Sequence, residues 1–319
     1  MFTVIGEISD ACTTAVGGPA GAVEAVELGR KYGKVWGLRN ATFNVRRGEL
    51  VVLVGPNGAG KTTTIRILTS NLRPSKGRAT VLGFDVVKEC REVRRKIAYM
   101  PQDFTVGWDH TPSEALTWNL VARGWPISDA KAQARRWLEL VGLWEYRDRP
   151  LRTLSEEQRR RATVAAVLAT EADAMFLDEP TVELDVKVRH NVWRAIRETV
   201  TDGASILLTT HDMREAEIIG DRVVLIDSGI TVAEGRPYEL VRALPYEYRI
   251  VLEKFEGLEE FTSSIDLGDR AVVYARSYGE MVRLVEELGR VTTIHLVDKV
   301  GLEDAYLRLV SDSESREAA

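Results

Sequence analysis

From Val23 onward, short β-rich apolar runs alternate with longer stretches of helical spacing, the pattern of a parallel or mixed sheet covered by helices. The clearest strands are Leu50–Val54, Ala174–Leu177, Ser205–Thr210 and Arg222–Ile226. Each is a nearly continuous apolar run, which suits a strand buried on both faces. Between Thr111 and Arg152 the strand pattern vanishes and helices alone are predicted. Trp137, Leu140, Val141 and Trp144 follow the i, i+3, i+4, i+7 spacing of one apolar helix face. Trp108, Trp118, Trp125, Trp137 and Trp144, five of the seven tryptophans, lie in or beside this stretch. They form a small helical core or, alternatively, supply a docking surface for another protein, since Trp is a frequent interface anchor.

After Pro237 the pattern changes. Tyr246–Glu253, Ala271–Ala275 and Thr292–Val297 read as strands separated by the helical patterns Tyr278–Leu288 and Leu302–Val310. This predicts a compact appended α/β module at 245–310, with Leu244-Pro245 as a hinge. Residues 1–22 read as a loose leader and 311–319 as a short, polar, frayed tail.

Composition narrows the function without naming it. The 319 residues suffice for one large domain and a smaller one, and the 45% hydrophobic and 29% charged content is that of an ordinary globular protein. Lys and Arg number 43 against 48 Asp and Glu, a net charge of −5, which argues against a general nucleic-acid binder. Cys12 and Cys90 are too few and too far apart for a disulfide framework or a metal cluster, in keeping with a reducing compartment. No apolar run approaches the ~18–20 residues of a spanning helix, so any membrane role is expected to come through a partner. Met1–Gly6 is apolar but is followed by Glu7 and Asp10 and lacks a basic start, unlike a signal peptide.

The strongest chemical signal is Gly55-Pro56-Asn57-Gly58-Ala59-Gly60-Lys61-Thr62, a G-x-x-x-x-G-K-[ST] string between a predicted strand and the helical run Thr63–Ser70. Glycines let the backbone turn tightly and aim successive N–H groups at phosphate oxygens, and a helix N-terminus adds a favourable dipole. In this motif Lys61 reaches the β- and γ-phosphates and the Thr62 hydroxyl ligates Mg²⁺, with Thr63 beside them as a further nucleotide contact. A nucleoside-triphosphate site is therefore predicted. Its partner is Met175-Phe176-Leu177-Asp178-Glu179-Pro180, an apolar strand ending in two carboxylates about 116 residues downstream of Thr62. The first carboxylate suits the Mg²⁺ shell and the second suits the attacking water, with the metal neutralising charge on the γ-phosphate.

Together with further motifs in the same order, these residues resemble the nucleotide-binding subunits of ABC transporters over roughly 23–243. Tyr32 in Lys31-Tyr32-Gly33 stands where that family stacks an aromatic on adenine, and Gln102 in Tyr99-Met100-Pro101-Gln102 where it places a glutamine that senses Mg²⁺ and the transporter. Leu154-Ser155-Glu156-Glu157-Gln158 occupies the signature position, Glu183-Leu184-Asp185 the D-loop, and His211, after Leu207-Leu208-Thr209-Thr210, the switch histidine. The resemblance implies an α/β P-loop NTPase of ABC ATPase type. Its expected parts are a RecA-like core, an antiparallel β subdomain, a helical subdomain at about 103–153, and the C-terminal module as a regulatory or dimer-contact element. It implies ATP and Mg²⁺ as ligands, with Glu179, His211 and Gln102 catalytic, Thr62, Gln102 and Asp178 at the metal, and Ser155 and Asp185 as nucleotide contacts. It also implies two ATPase subunits, in a homodimer or heterodimer, sandwiching ATP head to tail and driving a separate transmembrane permease. The chain would then be cytoplasmic and peripheral on the inner face of the cell membrane. Leu82-Gly83-Phe84-Asp85 and the C-terminal module resemble subunits serving multidrug, antibiotic or polysaccharide exporters.

One motif departs from the family. The signature normally reads Leu-Ser-Gly-Gly-Gln, and here both glycines are glutamates, Glu156 and Glu157. A carboxylate about 4 Å from a phosphate at an effective dielectric near 20 costs roughly 4 kcal/mol per unit-charge pair. The same residues form a capping box, with Ser155 as N-cap, Gln158 reaching back and two acids in the first turn, so the helix gains what the ligand loses. Slow hydrolysis is expected, and a regulatory or weakly hydrolysing module is the alternative function. The run Arg159–Arg161 reads as a solvated or interface face, with partial neutralisation of the glutamates as a second role.

Overall fold

The computed structural model describes residues 21–102, 109–258, 261 and 263–317. Trp108, the leader up to residue 20, the 103–108 start of the helical stretch and the last two tail residues lie outside the described residues. Two compact units meet between Glu234 and Gly235, so the helix Pro237–Arg242 groups with the second.

The first unit is built on β1 (Val23–Tyr32), β2 (Val35–Val45), β3 (Leu50–Val54), β4 (Lys76–Val81), β5 (Phe84–Asp85), β6 (Ile97–Met100), β7 (Ala174–Asp178), β8 (Ser205–Thr210), β9 (Arg222–Asp227) and β10 (Ile230–Gly235). They form one sheet in the order β5-β4-β1-β2-β10-β9-β3-β8-β7-β6. β9, β3, β8, β7 and β6 run parallel, and every residue of β3, β7 and β8 is buried, in keeping with their largely apolar sequences. On the other side β1, β2, β4 and β5 pair antiparallel. Leu28, Leu38, Phe43, Ile65, Leu68 and Phe176 fill the core between strands and helices, each contributing about 1.5–3 kcal/mol by leaving water. Ala22 is buried and its N–H donates to the Val45 carbonyl at 2.7 Å, a hydrogen bond just ahead of the start of β1 at Val23.

In the strandless stretch the helices are Pro112–Ala122, opened by a Thr111/Glu114 capping box, and Ile127–Leu140. The expected apolar stripe is cut short. Gly142 takes φ +69, a left-handed conformation that glycine adopts without strain, so the helix stops and Trp144 falls in a separate 3-10 turn. Trp137 is fully buried, whereas Trp118 is 52% exposed and Trp144 stacks on the Arg147 guanidinium at 4.5 Å. Only part of the tryptophan set therefore serves the core.

The second unit has β11 (Tyr248–Glu253), β12 (Ser264–Asp266), β13 (Arg270–Ala275) and β14 (Ile294–Lys299) in the antiparallel order β12-β13-β11-β14. The helix Tyr278–Leu288, capped by Ser277, packs Leu284 and Leu288 against Ile250, Leu252 and Val273. The final helix runs Leu302–Glu317, past Val310, where a frayed tail was expected. Once its first turns are fixed, each further residue adds one hydrogen bond, so propagation outlasts the apolar pattern.

Candidate functional site

The loop Gly55–Thr62 joins β3 to the helix Lys61–Leu68 at the end of the parallel strands. A Cβ on Gly55 would lie 2.0 Å from the Ile226 carbonyl oxygen, and Gly60 takes φ +100 with its would-be Cβ 2.8 Å from the Gly37 carbonyl. No other residue fits either position. Pro56, Asn57 and Gly58 form the exposed tip, while Ala59 and Gly60 are buried beneath it. No acid lies in the first turn of the following helix, which leaves its positive dipole end available to an anion.

Lys61 is buried inside this loop. Its Nζ donates to the Gly55 and Pro56 carbonyls at 2.8 and 3.0 Å and stands 3.5 Å from Glu179 Oε1. Burial pulls its pKa below the usual lysine value, against the opposing pull of Glu179 and Asp178. Thr62 Oγ1 donates to Asp178 Oδ1 at 3.3 Å. Asp178 is fully buried at the end of β7; burial raises its pKa, and the hydrogen bonds from Thr209 and Thr62 counter this. Its second oxygen, Oδ2, is buried without a hydrogen-bond partner in the protein. An orphaned carboxylate oxygen beside a threonine hydroxyl is the donor set a hard divalent cation takes.

Glu179 follows immediately, 7% exposed, with φ +50. Around its carboxylate stand Lys61, His211, whose Nδ1 is 3.5 Å from Oε1, and Gln102, whose Nε2 donates to Oε2 at 3.5 Å. Tyr32 ends β1 in the antiparallel part of the sheet, 44% exposed, with its hydroxyl 3.5 Å from Thr63 Oγ1. Lys61, Thr62, Asp178, Glu179, His211 and Gln102 thus form one cluster, and Tyr32 at the end of β1 meets Thr63 on the helix that carries Lys61 and Thr62. The described contacts do not join Ser155 or Asp185 to this cluster. Each caps its own helix, Ser155 accepting from Gln158 N at 3.2 Å and Asp185 from Val188 N at 2.9 Å.

Two participants escaped the sequence reading. Thr209 Oγ1 donates to Asp178 Oδ1 at 2.6 Å and accepts the Glu179 N–H at 3.0 Å, so one hydroxyl orients both carboxylate residues. Its signal was a polar residue inside the apolar run before His211. Arg160 is the other, and its Nη1 donates to the Glu179 carbonyl at 3.0 Å.

At the signature helix Glu157 leans back on Arg161 at 3.0 Å, and Arg161 also holds the Val141 and Gly142 carbonyls at 3.3 Å. Glu156 is exposed. The capping box of Ser155 and Gln158 is fully formed.

Residues 38–182 match the family described as ABC transporter. The Nod factor export ATP-binding protein I of Ralstonia nicotianae is 38% identical over 216 residues, covering 67% of each chain. The daunorubicin/doxorubicin resistance ATP-binding protein of Streptomyces peucetius is 38% identical, over 71% of this chain and 68% of that one. The Nod factor export protein of Rhizobium meliloti is 32% identical over 94% of this chain and 91% of its own. Among solved structures, an ATP-binding subunit of an ABC transporter superposes with a TM-score of 0.64 at 27% identity, over 69% of this chain and 92% of that one.

Proposed function

The chain belongs to the ABC transporter family, as an ATP-binding subunit, and from that premise we propose that it hydrolyses Mg²⁺-bound ATP to drive a separate transmembrane permease. The observation that carries this reading is the pair of contacts that bring Thr62 to Asp178 and Lys61 to Glu179, two consecutive carboxylates against two consecutive loop residues. Among the described residues no helix is long and apolar enough to cross a membrane, so membrane work falls to a partner and this chain works peripherally on the cytoplasmic face. The relatives named for Nod factor export and doxorubicin resistance favour an exporter. Tyr32 stacks the base and Gly55–Thr63 cradles the phosphates. A second ATPase subunit completes the site with its own Ser155 and Asp185 equivalents, and residues 245–310 serve regulation or dimer contact.

Bound Mg²⁺ would neutralise charge developing on the γ-phosphate. Thr62 and the free Oδ2 of Asp178 would hold it, with Gln102 at its edge. Glu179 orients the attacking water and accepts its proton, and His211 steadies the carboxylate through their contact. Asp178→Asn is expected to raise the Mg²⁺ concentration for half-maximal hydrolysis by about tenfold, equivalent to ~1.4 kcal/mol of metal affinity, while ATP binding in chelator stays near the parent level. A magnesium titration of the two proteins that superimposes would move the metal elsewhere.

The glutamates at the signature slow this enzyme. Glu157 is drawn aside by Arg161, which leaves the exposed Glu156 as the chief source of repulsion towards the phosphate of a partner's ATP. Pairing with a different ATPase subunit, whose ordinary signature faces the P-loop of this chain, spares its own site that repulsion. Replacing Glu156 and Glu157 by glycine is expected to raise hydrolysis by the isolated chain about tenfold, a barrier change of only ~1.4 kcal/mol. The measurement is ATPase rate against protein concentration. A parent that already turns over briskly, with no gain on substitution, would show that both carboxylates stay clear of the phosphate.

A further inference from the structure

Of the three consecutive arginines in the first turns of the signature helix, Glu156–Leu168, two are occupied locally. Arg159 donates to the Leu154 carbonyl at 2.6 Å, and Arg161 to the Val141 and Gly142 carbonyls and to Glu157. Arg160 instead reaches the backbone of Glu179. That residue's N–H is held by both the carbonyl and the hydroxyl of Thr209, at 3.1 and 3.0 Å, and its carbonyl by Arg160 at 3.0 Å. Between these grips the backbone sits at φ +50. A side-chain-bearing residue occupies this left-handed region only when its surroundings enforce it. The conformation aims the carboxylate at Lys61 and His211, so whatever holds the peptide also sets where the carboxylate points.

The grip from Arg160 comes from a helix whose N-cap is Ser155. In the dimer proposed above, Ser155 meets the ATP of the partner, whereas Glu179 serves the ATP of its own chain. We propose that Arg160 is a positioning residue that transmits engagement of the signature helix by one nucleotide to the water-orienting carboxylate at the other. A small shift of the helix on a partner's phosphate moves the guanidinium, and with it the Glu179 peptide. The two sites of a dimer are then coupled through one side chain. The proposal rests on the reading of Glu179 as the water-orienting base and on head-to-tail pairing.

Steady-state hydrolysis by the full chain, measured against ATP concentration, tests it. Arg160→Ala is expected to lower kcat about tenfold with KM within about twofold of the parent, since the loss falls on the transition state rather than on ATP binding. The Hill coefficient should fall to unity. Arg160→Lys, which retains a cationic donor for the carbonyl, should recover most of kcat. An unchanged kcat in Arg160→Ala overturns the proposal. So does an equal loss in Arg160→Lys accompanied by the same drop in melting temperature, the mark of a purely structural role. Gel filtration with ATP of Glu179→Gln, with and without Arg160→Ala, separates the two levels. Dimers in both, together with unchanged kcat in Arg160→Ala, sink the role of Arg160 alone. Dimers in neither sink head-to-tail pairing of this chain with itself, and the coupling between two copies falls with it.

Discussion

Lys61→Ala is expected to abolish ATP binding, raising Kd by at least about a hundredfold. A charge-assisted hydrogen bond contributes about 1.5–3 kcal/mol, and a lysine reaching two phosphates makes at least two. Its ammonium lies folded back on the Gly55 and Pro56 carbonyls, so it needs only to turn outward when an anion arrives. The loss has a second part. Lys61 is a cation that faces Asp178 and Glu179, and without it two buried carboxylates confront the incoming phosphates with the Mg²⁺ brought by ATP as their chief counter-charge. Folding should survive, because methyl-sized alanine leaves the two glycine-dependent turns untouched and relieves the desolvation of a buried ammonium. Calorimetric titration with ATP, alongside a thermal melt, checks both statements. Binding as tight as that of the parent would remove Lys61 from the phosphate cradle.

Much of this site was legible in the sequence because its chemistry is local. A phosphate cradle needs successive backbone N–H groups, tight glycine turns and a helix start within a few residues, so Gly55–Thr62 announces itself as one string. Buried parallel strands such as β3 and β8 are equally plain, since water reaches neither face and their centres are apolar. What stayed hidden depends on packing between distant segments. Thr209 sits 31 residues from Asp178 and is visible only as one hydroxyl in an apolar strand. Arg160 reads as one charge in a run of three, and nothing along the chain tells which of them points inward at Glu179. Trp144 fitted the helical stripe by spacing, but a single left-handed glycine ended the helix first. β12, three residues long, is too short for any period to register. The glutamates of the signature are a mixed case, for their capping box was readable whereas the turn of Glu157 towards Arg161 required the neighbouring helix end that holds Arg161 in place.

Glu179→Gln is expected to leave ATP binding intact while lowering turnover by at least about a hundredfold, the usual worth of a general base. The substitution preserves shape, so the three grips on the residue persist: Thr209 at its N–H, Arg160 at its carbonyl and Gln102 near its side-chain end. It removes the basic oxygen that would take the proton from the attacking water. It also removes a negative charge 3.5 Å from Lys61, which relieves repulsion between a carboxylate and the γ-phosphate at the moment when both must share that lysine. Affinity for ATP should therefore hold or tighten even as hydrolysis stops, and the ATP-bound dimer should accumulate because the step that opens it is blocked. Two readings on one sample decide the matter: phosphate release at saturating Mg²⁺ and ATP, and elution volume by gel filtration in the same buffer. Turnover at the parent rate would transfer the proton to another group, with His211, whose Nδ1 is 3.5 Å from Glu179 Oε1, the first candidate. Slow turnover without an ATP-dependent dimer would keep the base assignment and overturn head-to-tail pairing of this chain with itself, leaving a different ATPase subunit as the partner that closes on its P-loop.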